Sequence, residues 1–121
     1  MEPADADIEH HLAAFVDAFV VRERRERWRL LLSQRRRNTL RNSAKLMDHL
    51  DCRFCVQVDG AFGIDPATVG VFYDFHEYPP EVISLREAAK RADSRDAIFS
   101  IVPGRLALHW SHEDWSWLCR R

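Results

Sequence analysis

Cys52 and Cys55 stand three residues apart, the spacing of half a zinc site or of a redox pair, and His109 and His112 repeat that spacing near the C-terminus. Zinc needs four donors converging at about 2.0–2.3 Å. On a strand, however, residues three apart point to opposite faces, and no glycine or proline lies between the two cysteines to turn the chain. Thiols buried as small hydrophobes are the expectation, with no metal. Cys119 is a third thiol, and a catalytic cysteine needs a base at hand to make the thiolate. Asp74 and His76 share a face if residues 68–76 form a strand, about 7 Å apart at Cα. A carboxylate there could orient the imidazole for general-base work, yet no serine or other nucleophile accompanies the pair. Gly60-Ala61-Phe62-Gly63 is not a GxGxxG fingerprint and no GK[ST] occurs, so no phosphate-cradling loop and no nucleotide cofactor are expected. No catalytic residue is assigned, and an enzyme or metal site at Asp74/His76 or Cys52/Cys55 stands as the last of three readings.

The stronger chemical signal is charge. Residues 1–21 hold five acids and no Lys or Arg, whereas residues 22–50 hold ten bases against Glu23, Glu26 and Asp48. That is net +7 over 29 residues in a chain whose total is −1. Arg24, Arg25, Arg29, Arg35, Arg36, Arg37 and Arg41 are the candidate partner- or anion-binding residues. Two plainer origins compete. Arginine outnumbers lysine sixteen to two, as a GC-rich genome would also give, and the acidic segment could lie against the basic one and screen it. Trp28 sits inside the arginine run, where it could flank a phosphate-binding surface, but its alignment with Leu31 and Leu32 favours the core or an interface.

These residues need elements to position them. Ile8, Leu12, Phe15, Val16 and Phe19 recur on one helical face within residues 7–20. Trp28, Leu31 and Leu32 form the stripe of a second helix over 23–33. Leu40, Ala44, Met47 and Leu50 continue at helical spacing beyond a kink or short loop at Arg35–Arg37. From residue 52 the pattern changes. Residues 52–58 alternate as a half-buried strand, and residues 68–76 are β-branched and aromatic. Ser84-Leu85-Arg86-Glu87 matches a capping box and predicts a helix from Leu85 to about Asp93. Val102-Pro103-Gly104-Arg105 suits a tight turn. A two-residue hairpin there sets Ile101 against Leu106, Phe99 against Leu108 and Ala97 against Trp110. A second turn through 111–114 sets Trp110 against Trp115 and Leu108 against Trp117, with Cys119 on that same apolar face and His109 pointing the other way. The fold class predicted is α+β: N-terminal helices packed on one face of an antiparallel sheet that ends in a β-meander. Residues 1–121 form one domain, helical over 1–50, with the sheet and one helix near 85–93 in 51–121.

Composition narrows the function classes. The pI is about 6.6, short of the value above about 9 expected of a basic nucleic-acid-binding domain. Asp17 interrupts the best apolar run, so nothing approaches the roughly 20 residues of a membrane span. The acidic N-terminus is unlike a secretory signal, and three cysteines do not make a disulfide framework, so a cytoplasmic location is expected. The run Arg25-Glu26-Arg27-Trp28-Arg29-Leu30-Leu31-Leu32, with Ile101-Val102-Pro103-Gly104-Arg105-Leu106-Ala107, resembles a loose set of small uncharacterised bacterial proteins. That resemblance implies a bacterial, soluble chain and assigns no site residue. The leading expectation is a small non-enzymatic protein that binds a macromolecular partner, a protein first, in the manner of an immunity protein, antitoxin or accessory subunit. Nucleic-acid binding through residues 22–41 is the alternative, and self-association is left open.

Overall fold

Residues 5–34 contain neither glycine nor proline, so nothing there breaks a helical backbone. The computed structural model of the chain describes residues 5–34, 43–59, 63–76, 80–113 and 115–121. Helix α1 spans Asp5–Phe19, a single 3-10 turn (η1) Arg22–Arg24, and α2 Arg25–Gln34. Leu12, Phe15, Val16 and Phe19 form the buried face of α1, and Trp28, Leu31 and Leu32 that of α2. Each such side chain taken out of water contributes about 1.5–3 kcal/mol. The kink expected at Arg35–Arg37 lies outside the described residues. Beyond it the helical spacing is realised as a 3-10 segment, η2 (Ser43–His49), which buries Leu46. Its end is tied to the α1–α2 joint: Val20 bridges Leu50, Val21 N donates to His49 O at 2.8 Å, and Asp51 N donates to Phe19 O at 2.7 Å.

Six strands follow among the described residues: β1 Cys55–Val58, β2 Val69–Asp74, β3 Glu81–Ser84, β4 Ala97–Val102, β5 Leu106–Trp110 and β6 Ser116–Arg120. They form one sheet in the order β1-β6-β5-β4-β2-β3, with every neighbouring pair antiparallel. Helix α3 (Leu85–Arg91) starts at Ser84, whose hydroxyl accepts from Glu87 N at 3.2 Å as the capping box predicts. The fold is α+β, with helices packed on the sheet and β4-β5-β6 as a C-terminal meander. Residues 52–54 form a turn closed on Asp51 O rather than the start of β1, and β2 stops at Asp74 rather than reaching His76. Strand β3, directly after Pro80, was not anticipated.

The two C-terminal turns part company with the predicted pairing in instructive ways. At the first, Pro103 and Gly104 (φ +68°) occupy the turn, and Arg105 N donates to Val102 O at 2.9 Å. Phe99 pairs Leu108 and Ala97 pairs Trp110, as expected, but a bulge between Ser100 and Val102 sets Val102, not Ile101, against Leu106. The second loop is one residue longer than the predicted turn. Ser111 N donates to Trp115 O at 2.8 Å, so Trp110 pairs Ser116, Leu108 pairs Leu118 and His109 pairs Trp117. A slip of one residue sends every side chain of β6 to the other face. Trp117 and Cys119 therefore join His109 beneath α1 and α2, while Trp110 lies on the opposite face, which α3 helps cover with Leu85, Ala88 and its C-cap Ala92. Trp115, expected inside, is about half exposed. The sheet is apolar on both sides. No helix among the described residues is long and apolar enough to cross a membrane.

Candidate functional site

Helix α2 is fixed from below and cationic above. Trp28 is buried, edge-on to Phe75 with ring centroids 6.3 Å apart and to His49 at 6.2 Å. Its indole N–H donates to His49 Nδ1 at 3.0 Å. On the solvent side, Arg22, Arg24, Arg27, Arg29 and Leu30 are exposed, with Glu23 and Glu26 among them. The predicted site residues among them have unlike surroundings. Arg25 Nε donates to Val20 O at 2.9 Å and so helps close the α1–α2 joint. Arg29 Nε lies 3.1 Å from Asp17, one point at which the acidic helix screens the basic one, with both side chains half exposed. Such a pair contributes about 0–1 kcal/mol. Arg24 is exposed and forms no ion pair among the described residues. Arg35, Arg36, Arg37 and Arg41 lie outside the described residues.

Arg24, Arg27, Trp28, Leu31, Lys45 and His49 line a cavity of about 150 Å³ between α2 and η2. Arg27, Lys45 and His49 were not singled out from the sequence. His49 is 21 residues from Trp28 and reaches it only because the Val20–Leu50 bridge folds η2 back on the helical joint. No local spacing announces that contact. Burial, with Arg24 and Lys45 nearby, lowers the His49 pKa from its ordinary value, and Asp48 opposes them. The imidazole is therefore neutral near neutral pH. Its Nδ1 accepts the indole proton, so its own hydrogen is on Nε2. The cavity thus carries three side-chain cations and a neutral N–H donor, and among the described residues no acid lines it.

The remaining chemical candidates are spoken for locally. Asp74 Oδ2 accepts from Arg95 Nη1 at 2.8 Å, and Asp74 Oδ1 accepts from the backbone N–H of His76 at 2.8 Å, while the His76 side chain is exposed. The carboxylate steadies a bend instead of an imidazole. Cys52 is exposed and Cys55 is buried with its thiol 3.7 Å from Phe19 O. Cys119 faces Cys55 across β1 and β6, and that thiol contact together with burial pushes the Cys119 thiol up, leaving it protonated. His109 does share the face of Cys119, contrary to the predicted register, but its Nδ1 bonds Ala97 O at 3.0 Å and burial lowers its pKa to about 4. His109 Nε2 and Trp117 Nε1, an acceptor and a donor on cross-strand partners, lack partners among the described residues. His112 instead meets Asp96, with Nδ1 3.1 Å from both carboxylate oxygens. Among the described residues no group of three or more His, Cys, Asp or Glu side chains gathers as a metal site. Compared with protein-family models, curated proteins and solved structures, the chain matches none.

Proposed function

We propose that this protein works by binding, and that the cationic outer surface of η1 and α2 docks an acidic macromolecular partner, a protein, without performing chemistry on it. The observation that carries this reading is the exposure of Arg22 and Arg24 on η1 and of Arg27 on α2, none of them ion-paired among the described residues, where α2 has Trp28, Leu31 and Leu32 locked in the core. Cations held on a rigid support give complementarity without the entropy cost of ordering a loop. Leu30, 56% exposed in their midst, favours a protein over a nucleic acid, because phosphate backbones reward charge alone whereas protein interfaces combine apolar contact with arginine. Immunity, antitoxin and accessory-subunit roles all fit such a surface.

The test is affinity capture on the immobilised chain from a lysate of its source organism, in nuclease-treated and untreated arms. The expected result is a protein retained equally in both arms and lost with Arg24→Glu/Arg27→Glu. Retention that vanishes with nuclease transfers the surface to nucleic acid, with affinity then falling by about 0.9 log units per log unit of salt for each phosphate contacted on duplex DNA. No retained macromolecule in either arm overturns the binding reading.

A further inference from the structure

We infer that the cavity between α2 and η2 is the seat of a single phosphate group, held by Arg24, Arg27 and Lys45 and contacted by the Nε2–H of His49. This rests on the reading that the η1–α2 surface meets an anionic partner, and it names the chemical group that partner inserts. Size selects the class first. A cavity of about 150 Å³ is below the roughly 300–1,000 Å³ of sites that enclose whole drug-sized ligands, so it suits one oxyanion rather than an entire nucleotide. Charge selects next. A carboxylate is satisfied by one guanidinium fork, whereas two arginines, a lysine and an imidazole donor match the greater charge and additional oxygens of a phosphate monoester. The imidazole is set for this purpose by Trp28. With Nδ1 accepting the indole proton, the nitrogen left for a ligand is the one bearing hydrogen, and a phosphate oxygen needs a donor there. The apolar wall of Leu31 and the Trp28 ring lowers the local dielectric and strengthens each contact.

The direct probe is inorganic phosphate, titrated near neutral pH at ionic strength matched with sodium chloride, while the indole N–H resonance of Trp28 is followed by NMR. That proton spans the Trp28–His49 contact and reports any ligand on the other side of the ring. The expected result is a saturable shift of the Trp28 resonance, with the indoles of Trp110, Trp115 and Trp117 stationary. Arg27→Gln and Lys45→Gln, both at exposed side chains, should each weaken binding about tenfold, the equivalent of one charge-assisted hydrogen bond. Parallel titrations with O-phosphoserine and AMP identify the source: tighter binding of either names a phosphorylated side chain or a nucleotide, and equal binding of all three names the free anion. A Trp28 resonance that stays still through the phosphate titration, or that moves equally with chloride, overturns the proposal. Phosphate binding without a captured macromolecule leaves the seat standing and removes the docking reading; capture without phosphate binding does the reverse.

Discussion

His109 and His112, three residues apart on the same hairpin, respond to pH in opposite senses. Burial lowers the His109 pKa to about 4 from 6.5. Between those values the unfolded chain binds more protons than the folded one, so His109 makes stability rise with pH from about 4 to 6.5. His11 and His49, both lowered chiefly by burial, act in the same direction. The bond to Asp96 raises the His112 pKa. Its contribution is complete below 6.5 and is lost as pH climbs through the folded value. Denaturation midpoints measured across this range should therefore rise from pH 4 to 6.5, less steeply in His109→Gln, and the decline above 6.5 should disappear in His112→Gln. An unchanged slope in His109→Gln contradicts the burial of a neutral imidazole. A separate acid step follows from Asp51. Its hydrogen bonds from the Arg53 side chain and backbone hold its carboxyl at about 2, against 3.8. That stabilisation is present above 3.8 and lost as pH falls toward 2. Arg53→Ala should move the acid unfolding midpoint to higher pH, and acid titration followed by circular dichroism reads it.

Strand β2 is pressed against β4 at Gly70, where an added Cβ would sit 2.7 Å from Ser100 O and 2.8 Å from Cζ of Phe99. Gly70→Ala must push β2 and β4 apart or turn the Phe99 ring, and should destabilise by about 1–3 kcal/mol in urea denaturation. A neutral effect would show that this close approach does not exist in solution. The same strands show what alternation can and cannot fix. Helices α1, α2 and α3 and the Pro103-Gly104 turn were legible because their signals are local: an apolar face, a capping serine, a residue pair with preset dihedrals. The pairing of β6 was not. Trp117, Leu118 and Cys119 are consecutive apolar residues, so either register buries something, and the choice falls to the loop. There Asp96 Oδ1 accepts from His112 N at 3.0 Å and Ser111 Oγ accepts from Glu113 N at 3.2 Å. Asp96 is fifteen residues or more before the turn it shapes, which no reading of the turn itself contains. Strand β3 escaped notice because Val82-Ile83 is too short a run to register between Pro80 and the capping serine. Of the candidate site, the cationic character of α2 and the dual position of Trp28 were visible. Arg27, Lys45 and His49 were not assigned, since their association is made by a backbone bridge between distant segments.

At the level of the whole molecule, a net charge near zero conceals an uneven distribution, the described η1–α2 surface exposing four arginines against Glu23 and Glu26. The acidic α1 meets the basic α2 at Asp17–Arg29, while Arg22, Arg24 and Arg27 stay exposed. Surface substitutions of this kind usually change stability by less than about 0.5 kcal/mol, so binding and folding are separable by experiment. The decisive comparison is between two charge-reversed variants of equal net charge: Arg24→Glu/Arg27→Glu on the proposed surface, and Arg86→Glu/Arg105→Glu at exposed positions elsewhere. Both should melt within a degree or two of the unaltered protein. The affinity for the captured partner should fall by about a hundredfold or more in the first variant and stay within a few-fold in the second. Equal losses in both would mean that net charge alone governs retention, and no loss in the first would contradict the assignment of η1 and α2 as the working surface.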